Sequence, residues 1–318
     1  MTVLVTGGMG FTGLHTAKSF LDAGEDVVIT WYQTWREPDF IKDEYGKRVK
    51  IERVDVTSHH DMVDAVRKHA VTDICHLAVP GLAALSPAED FRVNMAGLIN
   101  VLEAGRLSGV KRISVASSQT VYAGVPEGPF REDMNLPAES RSGTEAFKKA
   151  WEILAMHWAD RAGVEVLSLR LGGIVGPLYH TLANLMSRMV HAAVKGTEPN
   201  YGQGARGGVP FAEDTQDWGY VKNVALGIQL LHTTEKLNHK VYNVGGGRAV
   251  TNQEIVDSIH KLIPDAKLPM QEGRSPRWRP NGHMDLTRLK EDTGYKARYE
   301  IPDAVADYIK WLQVGNPL

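Results

Sequence analysis

Three glycines near the start of the chain, Gly7, Gly10 and Gly13, constrain its fold more than any other feature. They follow a short apolar, β-branched run at residues 3–5, typical of a buried strand, and precede apolar residues at helical spacing that begin at Leu14. Glycine can adopt a positive φ in a tight turn, and its missing Cβ lets the backbone approach a ligand. The N-terminus of the following helix presents N–H groups and a positive dipole end to an anion. The stretch predicts a strand–turn–helix unit that binds the phosphates of a dinucleotide, with a purely structural turn as the alternative.

Composition limits the kinds of partner that the 318-residue chain is expected to bind. Lys and Arg number 36 against 38 Asp and Glu, and a net charge of −2 favours neither nucleic acid nor a membrane surface as a partner. No apolar stretch reaches the ~18–20 residues of a membrane span. Cys75 is the single cysteine and lies in an apolar run, which predicts a buried thiol and a reducing, cytoplasmic setting. We therefore expect the partner to be a small-molecule substrate.

Apolar β-branched segments alternate with amphipathic helical segments through the first half of the chain. Strands are predicted at residues 27–30, 51–54, 73–78, 112–116 and 164–170, and helices at 60–68, 94–107 and 144–162. This alternation predicts an α/β fold with a Rossmann-type, doubly wound parallel sheet. After Pro177 the rhythm changes, with helical segments at 221–231 and 252–262. We expect a dinucleotide-binding domain over residues 1–177 and a smaller, mainly substrate-binding region over 178–318, interleaved with the main sheet.

Further motifs occur in an order that, together with the glycines, resembles the extended short-chain dehydrogenase/reductase family, which includes nucleotide-sugar epimerases and dehydratases. The resemblance covers almost the whole chain. Besides residues 6–13, it is carried by Asp55 after the third strand, His76-Leu77-Ala78 after the fourth, Asn94 with Gly97, the serine segment 117–122, Arg170, and residues 242–245. It implies a nicotinamide cofactor and an oxidoreductase, isomerase or lyase activity.

The resemblance implies NAD or NADP as the cofactor. The family often places an aspartate at the end of the second strand, where it accepts hydrogen bonds from the adenosine ribose. This chain has Trp31 there, so a 2′-phosphate would meet no repulsion and Arg36 could pair with it; alternatively, Arg36 is a solvated loop residue. NAD and NADP therefore both stay open. The expected cofactor-binding residues are Gly7, Gly10, Phe11, Thr12, Gly13, Trp31, Arg36, Asp55, Val56, Leu77, Ala78, Lys148 and Arg170.

The chain departs from the family at its catalytic pair, a tyrosine and a lysine spaced one helical turn apart. A family glutamate usually follows the lysine by four residues, so Glu152 selects Lys148 and places Thr144 at the tyrosine position. The alternative register pairs Glu145 with Lys149. A threonine hydroxyl is too short and too weakly acidic to replace a phenol with a pKa of ~10. We expect Lys148 to hold the cofactor ribose and Ser118 to orient the substrate oxygen.

Three interpretations of the missing tyrosine stay open. Another group could serve as the acid or base through water, with Tyr122, Glu145 and Ser118 as candidates, in an oxidoreductase or epimerase acting on a hydroxyl or keto carbon. The reaction could instead proceed without net hydride transfer, as in a retro-aldol cleavage or an elimination. The chain could also sense a dinucleotide without turnover. The candidate catalytic residues are Ser118, Lys148, Thr144, Tyr122, Asn94 and Glu145.

A further departure concerns the substrate. Family members that bind nucleotide sugars usually have an asparagine three residues after the arginine that corresponds to Arg170, and an arginine before the aspartate at Asp217. This chain has Gly173 and Gln216 at those positions, which predicts a substrate smaller or less anionic than a nucleotide sugar. The expected substrate residues are Ser118, Gln119, Gly172, Gly173 and Arg279, the last as a clamp for a carboxylate or phosphate or as a surface arginine.

The family resemblance also implies a homodimer, in which the helices that carry Asn94 and Lys148 pack on their partners. The apolar candidates for this interface are Leu98, Val101, Leu102, Phe147, Trp151 and Leu154; alternatively, they belong to the core of one subunit. The twelve histidines show no metal-binding spacing, and no metal site is expected.

Overall fold

A computed structural model describes residues 1–79, 85–202 and 208–316. Its strands are β1 (Thr2–Thr6), β2 (Asp26–Trp31), β3 (Val49–Arg53), β4 (Asp73–His76), β5 (Arg112–Ser118), β6 (Glu165–Leu171), β7 (Gly173–Val175), β8 (Thr215–Gln216), β9 (Trp218–Tyr220), β10 (Val241–Val244) and β11 (Val250–Thr251). Seven of them form a parallel sheet in the order β10-β6-β5-β4-β1-β2-β3. The predicted α/β fold with a doubly wound parallel sheet is confirmed.

The helices are α1 (Phe11–Asp22), α2 (His59–Lys68), α3 (Pro87–Ser108), α4 (Gly143–Ala162), α5 (Leu185–Lys195), α6 (Val221–Thr233), α7 (Asn252–His260), α8 (Thr287–Thr293) and α9 (Ile301–Gln313). Short 3₁₀ turns occur at Lys42–Glu44 and Gln119–Tyr122. None of the helices in the described residues is long and apolar enough to cross a membrane.

Apolar side chains cover both faces of the central sheet. Val3 and Val5 point to one face, where they join a core with α1 and α6, while Leu4 points to the other face and packs with α2, α3 and α4. Side chains alternate between the two faces of a strand, and a strand covered on both faces must be apolar throughout. This burial explains why the first strand is a continuous apolar run.

The order of the strands reverses at β1, which pairs with β2 on one side and β4 on the other. In an open parallel sheet such a reversal leaves a crevice beyond the carboxyl ends of the two diverging strands. Gly7 follows β1 and Leu77 follows β4, so both lie where this crevice forms.

The second half of the chain builds a separate core from α5, α7 and α9, with Met189, Ile259 and Tyr308 at its centre. However, β10 pairs with β6 in the main sheet, and α6 belongs to the core against α1. Residues on both sides of position 177 therefore contribute to the main sheet. The division into two domains stays a prediction.

The helix predicted at 94–107 begins earlier, at Pro87. Ser86 accepts a hydrogen bond from the N–H of Glu89, and the Glu89 carboxylate accepts one from the N–H of Ser86. This capping box, followed by proline at the first helical position, is a start signal that apolar periodicity alone overlooks.

Four of the six residues predicted for a subunit interface instead fill the core beneath α3 and α4. Leu98 and Leu102 are 2% exposed, Trp151 is 1% exposed and Val101 is fully buried. Phe147 is half-buried, and Leu154 is 45% exposed. The burial of these four residues agrees with the alternative, that they belong to the core of one subunit, and the subunit interface itself stays a prediction.

Candidate functional site

The turn between β1 and α1 is closed by glycine backbone. Gly7 has a φ of +66°, a conformation that L side chains rarely adopt, and its carbonyl accepts a hydrogen bond from the N–H of Gly10 at 2.9 Å. A Cβ at Gly13 would lie 2.3 Å from the Gly7 carbonyl oxygen, and one at Gly10 would lie 3.0 Å from it. The turn therefore has no room for a side chain at Gly13 and very little at Gly10.

The N-terminus of α1 presents its N–H groups without a side-chain cap. Gly10 is the N-cap residue, and among the described residues no side chain accepts a hydrogen bond at this cap. The helices α2, α3 and α4, in contrast, are capped by Ser58, Ser86 and Ser142. The first turn of α1 also carries no acidic residue, so its positive end is not compensated by the helix itself.

A cleft of about 610 Å³ opens beside this helix end. It contains all of the expected cofactor-binding residues except Arg36, Lys148 and Arg170, namely Gly7, Gly10, Phe11, Thr12, Gly13, Trp31, Asp55, Val56, Leu77 and Ala78. The cleft therefore lies at the strand-order reversal, where the fold leaves a crevice.

Side chains that sequence reasoning missed hold the cleft in shape. The Thr6 hydroxyl accepts hydrogen bonds from the N–H groups of Leu77 and Ala78, both at 3.2 Å, and thereby ties the end of β1 to the end of β4. The Thr30 hydroxyl accepts one from the N–H of Gly7, also at 3.2 Å. A threonine at the end of a buried strand, directly before a glycine turn, was the signal available for Thr6.

The far wall of the cleft is fixed by Asp55 and Val56. One carboxylate oxygen of Asp55 accepts hydrogen bonds from the N–H and the hydroxyl of Thr57, both at 2.8 Å. The side-chain amide of Asn100 donates to the Val56 carbonyl at 3.0 Å, and a Cβ at Gly97 would lie 3.2 Å from Val56 Cγ2. Helix α3 thus supports this wall directly, and the close approach of Val56 explains why residue 97 is a glycine.

The two arginines expected at the cofactor, Arg36 and Arg170, lie outside the lining of the cleft. Arg36 Nη1 donates to the Met9 carbonyl at 3.0 Å, and its Nη2 lies 3.1 Å from His180 Nδ1. Arg170 is buried and forms an ion pair with Glu152 at 2.8 Å. Arg170 therefore belongs to the interior network of the sheet in this structure.

Lys148 lies on the first half of α4, one turn after the half-buried Thr144. Its Nζ is buried 3.7 Å from the centre of the Trp151 ring and makes no hydrogen bond with any described residue. Burial lowers the pKa of Lys148 to about 7. The Trp151 ring also stacks on the ring of His76, with 4.9 Å between ring centres. Lys148 is therefore a buried amine with unused hydrogen-bonding capacity beside the end of β4.

The neighbouring Lys149 has a different environment. Its Nζ donates to Glu145 Oε1 at 2.7 Å, to the Pro137 carbonyl at 2.6 Å and to the Glu139 carbonyl at 2.7 Å. The second oxygen of Glu145 accepts a hydrogen bond from the N–H of Arg141 at 2.9 Å. The pair therefore braces the loop before α4, and the Glu145 carboxylate is occupied by this brace.

Ser118 and Gln119 lie at the carboxyl end of β5. The Ser118 hydroxyl accepts a hydrogen bond from the N–H of Thr120 at 3.2 Å. The side-chain nitrogens of Gln119 and Gln216 each lie 3.2 Å from the point where a Cβ on Gly173 would be. Two neutral amides thus converge on Gly173. Gly172 serves packing instead, since its Cβ would lie 3.1 Å from Gly245 Cα.

Tyr122, an expected acid or base, is a core residue. It is fully buried, its hydroxyl donates to Asn243 Oδ1 at 2.8 Å, and it accepts a hydrogen bond from Arg170 Nη1 at 2.8 Å. Burial raises its pKa to about 12. This environment does not suit proton exchange with a substrate.

Asn94 and Arg279 also use their polar groups internally. The amide of Asn94 donates to the carbonyl and the carboxylate of Asp90 within α3, at 2.8 and 2.9 Å. Arg279 Nη1 donates to the Val125 carbonyl at 3.1 Å, and its guanidinium lies 5.0 Å from the centre of the Phe130 ring. Arg279 thus fastens the C-terminal segment to the chain that follows Tyr122.

The buried histidines bind protein groups. His15 Nε2 lies 3.1 Å from the Pro177 carbonyl, and His191 Nε2 lies 2.8 Å from the Tyr308 hydroxyl. Burial lowers the pKa of both imidazoles to about 4. Within residues 1–79, 85–202 and 208–316, no group of three or more His, Cys, Asp or Glu side chains is suited to hold a metal ion.

The chain is similar in sequence to a known protein family and to several of its members. A model of the NAD dependent epimerase/dehydratase family matches residues 3–245. The UDP-glucose 4-epimerase of Lacticaseibacillus casei is 25% identical, with 96% of this chain and 95% of the relative covered. The dTDP-glucose 4,6-dehydratase of Streptomyces niveus is 24% identical, with 98% and 93% covered.

Solved structures share the fold over its full length. The structure of MoeE5 in complex with UDP-glucuronic acid and NAD superposes with a TM-score of 0.80 at 26% identity, covering 99% of each chain.

Proposed function

The chain belongs to the NAD dependent epimerase/dehydratase family, and we propose that it is an enzyme that binds a nicotinamide dinucleotide and acts on a hydroxyl or keto carbon of a small polar substrate. The observation that carries this proposal is the uncapped N-terminus of α1, which faces the cleft beyond a glycine turn. The relatives named as epimerases and dehydratases support an enzymatic role.

The residues of the cleft fit the dinucleotide. A Cβ at Gly13 would meet the Gly7 carbonyl, so the turn keeps backbone N–H groups exposed where a pyrophosphate would bind. On this proposal, Gly10, Phe11, Thr12 and Gly13 hold the pyrophosphate, Trp31, Asp55 and Val56 contact the adenosine, and Leu77 and Ala78 line the nicotinamide side. When bound, the dinucleotide supplies hydride transfer.

The proposal assigns Lys148 to the ribose beside the nicotinamide. Its buried Nζ makes no hydrogen bond with the described residues, and an unsatisfied buried amine is costly unless a ligand oxygen satisfies it. Ser118 at the end of β5 orients the substrate oxygen, and Thr144 is not the principal acid or base. Tyr122 and Glu145 are assigned structural roles, because both are already bonded within the core.

The substrate we propose is less anionic than a nucleotide sugar. The amides of Gln119 and Gln216 converge on Gly173, and neutral amides suit hydroxyl or carbonyl groups better than a diphosphate. Arg279 already donates to the Val125 carbonyl, so no charge-binding role is assigned to it. MoeE5 was solved with UDP-glucuronic acid, so nucleotide sugars are the necessary comparison in any substrate panel.

A second candidate function is a lyase or dehydratase that acts on the same scaffold without net redox. The specific observation that favours it is that Thr144 stands at the tyrosine position of α4 and that Tyr122 is buried in the core. A proton carried by water or by Lys148 would suffice for an elimination.

We also propose a homodimer, formed by an apolar face on α3 and α4. Phe91 is 62% exposed, Ile99 45%, Ile153 70% and Leu154 45%, and Phe91 contacts Phe147 with 6.1 Å between ring centres. Several large apolar side chains exposed on two adjacent helices are typical of a protein interface. Light scattering that gives a 35.1 kDa particle at micromolar concentration would count against this dimer.

Absorbance at the nicotinamide band tests the proposed function over a panel of hydroxy acids, simple sugars, aromatic alcohols and nucleotide sugars. A net change with a substrate supports the oxidoreductase. Substrate consumption without a net change points to an epimerase or a lyase, which product analysis separates. Dinucleotide binding with no turnover across the panel would support a sensor instead, and turnover of nucleotide sugars alone would overturn the substrate proposal.

A further inference from the structure

The adenosine end of the cleft has an unusual arrangement of side chains at the edge of the sheet. Trp31 ends β2 and Arg53 ends β3, and the two residues are partners in the parallel register. The Arg53 guanidinium carbon lies 5.6 Å from the centre of the Trp31 ring and 5.8 Å from the centre of the Tyr32 ring. Trp31 and Tyr32 both line the cleft. A cation is therefore held against two aromatic rings beside the cleft.

The charge of Arg53 has no compensating partner in the part of the chain that the structure describes. Arg53 is exposed, and its guanidinium makes no hydrogen bond or ion pair with any residue that the structure describes. The adjacent Glu52 accepts hydrogen bonds from Lys68 at 2.6 Å and His69 at 2.7 Å. The N–H groups of the Arg53 guanidinium are thus available to a ligand, since the adjacent Glu52 carboxylate already has two other partners.

The end of β2 also lacks the group that would reject a phosphate. A carboxylate at this position accepts hydrogen bonds from the ribose hydroxyls of NAD and repels a 2′-phosphate, whereas a nearby arginine accommodates that phosphate. Trp31 carries no charge, and the guanidinium of Arg53 is a planar set of donors that matches phosphate geometry. Arg36, the sequence-based candidate for this role, instead donates to the Met9 carbonyl.

We propose that Arg53 forms a subsite for a phosphate on the 2′ position of the adenosine ribose, so that the cleft selects NADP over NAD. This inference rests on the proposed dinucleotide function and adds to it the choice between the two cofactors. The aromatic rings hold the guanidinium at the adenosine end, and the phosphate supplies an acceptor for its donors.

Calorimetric titration of the full chain with NADP⁺ and with NAD⁺ tests this subsite without any substrate. The wild-type chain should bind NADP⁺ at least roughly tenfold more tightly, as expected for one charge-assisted contact to a phosphate. Arg53→Gln should lose most of that difference by weakening NADP⁺, while its NAD⁺ affinity stays within about twofold. Arg67→Gln removes the same charge from an exposed position on α2 and should leave the difference intact. Circular dichroism confirms that each variant is folded.

Two further variants separate Arg53 from competing explanations. Trp31→Asp should reverse the preference in favour of NAD⁺, because it restores a carboxylate at the end of β2. Arg36→Gln should leave the preference unchanged. Equal or tighter binding of NAD⁺ by the wild-type chain would overturn the inference while leaving the proposed function intact, as would loss of the preference in Arg36→Gln but not in Arg53→Gln. Failure of both nucleotides to bind would overturn the proposed function and, with it, this subsite.

Discussion

The glycine turn at residues 7–13 and the first half of α4 both lie at the carboxyl edge of the sheet, but they are built differently. The turn presents backbone groups, and its shape follows from local requirements such as the positive φ of Gly7 and the missing Cβ of Gly13. The α4 region presents side chains, and whether these can bind a ligand depends on their partners within the protein. Glu145 binds Lys149, and Tyr122 binds Asn243 and Arg170. Motif spacing thus predicts the shape of the backbone turn well and the partners of polar side chains poorly.

The largest effect is expected at the turn. Gly10→Val should reduce dinucleotide affinity by at least ~100-fold, because the new side chain crowds the Gly7 carbonyl and covers the N–H groups of α1. Calorimetric titration measures this loss. Gly282→Ala is the control, since its Cβ would come no closer than 3.4 Å to its neighbours and should not affect binding. Unchanged affinity in a folded Gly10→Val chain would remove the turn from the binding site.

The next largest effect distinguishes two adjacent lysines on α4. Lys148→Met should lower kcat/KM by about 10²-fold or more, because it removes the amine that positions the ribose, but it should not destabilise the fold. Lys149→Met should instead lower the free energy of unfolding by about 3–5 kcal/mol, because it leaves the buried Glu145 carboxylate without the cation of its ion pair. Steady-state kinetics and urea denaturation of both variants measure these effects. If Lys149→Met lost activity and Lys148→Met lost stability, the choice of Lys148 as the family lysine would be refuted.

Acid should destabilise the interior through His15. Burial lowers its folded pKa to about 4, whereas the unfolded chain titrates near 6.5, so the unfolded state binds more protons between these values. This difference should remove about 3 kcal/mol of unfolding free energy as the pH falls from 6.5 through 4. Urea denaturation across this range, compared between the wild-type chain and His15→Gln, isolates the contribution. A parallel loss in the two proteins would show that His15 does not titrate in this way.

The smallest effect is expected at Thr144. Thr144→Ala should cost only a hydrogen bond, ~1–2 kcal/mol or roughly tenfold in kcat/KM, because the hydroxyl is not the principal proton carrier. Kinetics with the best substrate of the panel provide the measurement. A loss of ~10²–10⁴-fold, as expected for a general acid or base, would make Thr144 the proton carrier.

The sequence predicted the sheet because its signals are local. The predicted strand at 51–54 and the helix at 60–68 agree with β3 and α2 to within about two residues, since apolar residues alternate along β3 and recur at helical spacing along α2. The partners of individual polar groups could not be predicted. Arg36 meets His180, and Arg170 meets Glu152 and Tyr122, only because the fold brings distant segments together. The sequence likewise does not say which apolar residues of α4 lie in the core, where Trp151 is 1% exposed and Ile153 is 70% exposed.

Hydrogen–deuterium exchange with and without NADP⁺ tests the central claim most directly, because it reports backbone amides and needs no substrate. Bound dinucleotide should slow exchange in peptides that cover residues 7–13, 54–57 and 77–79, which contribute to the lining of the cleft. Peptides from α5, in the separate core of the second half, should exchange as before. Binding that leaves residues 7–13 unprotected, or no binding at all, would contradict the account.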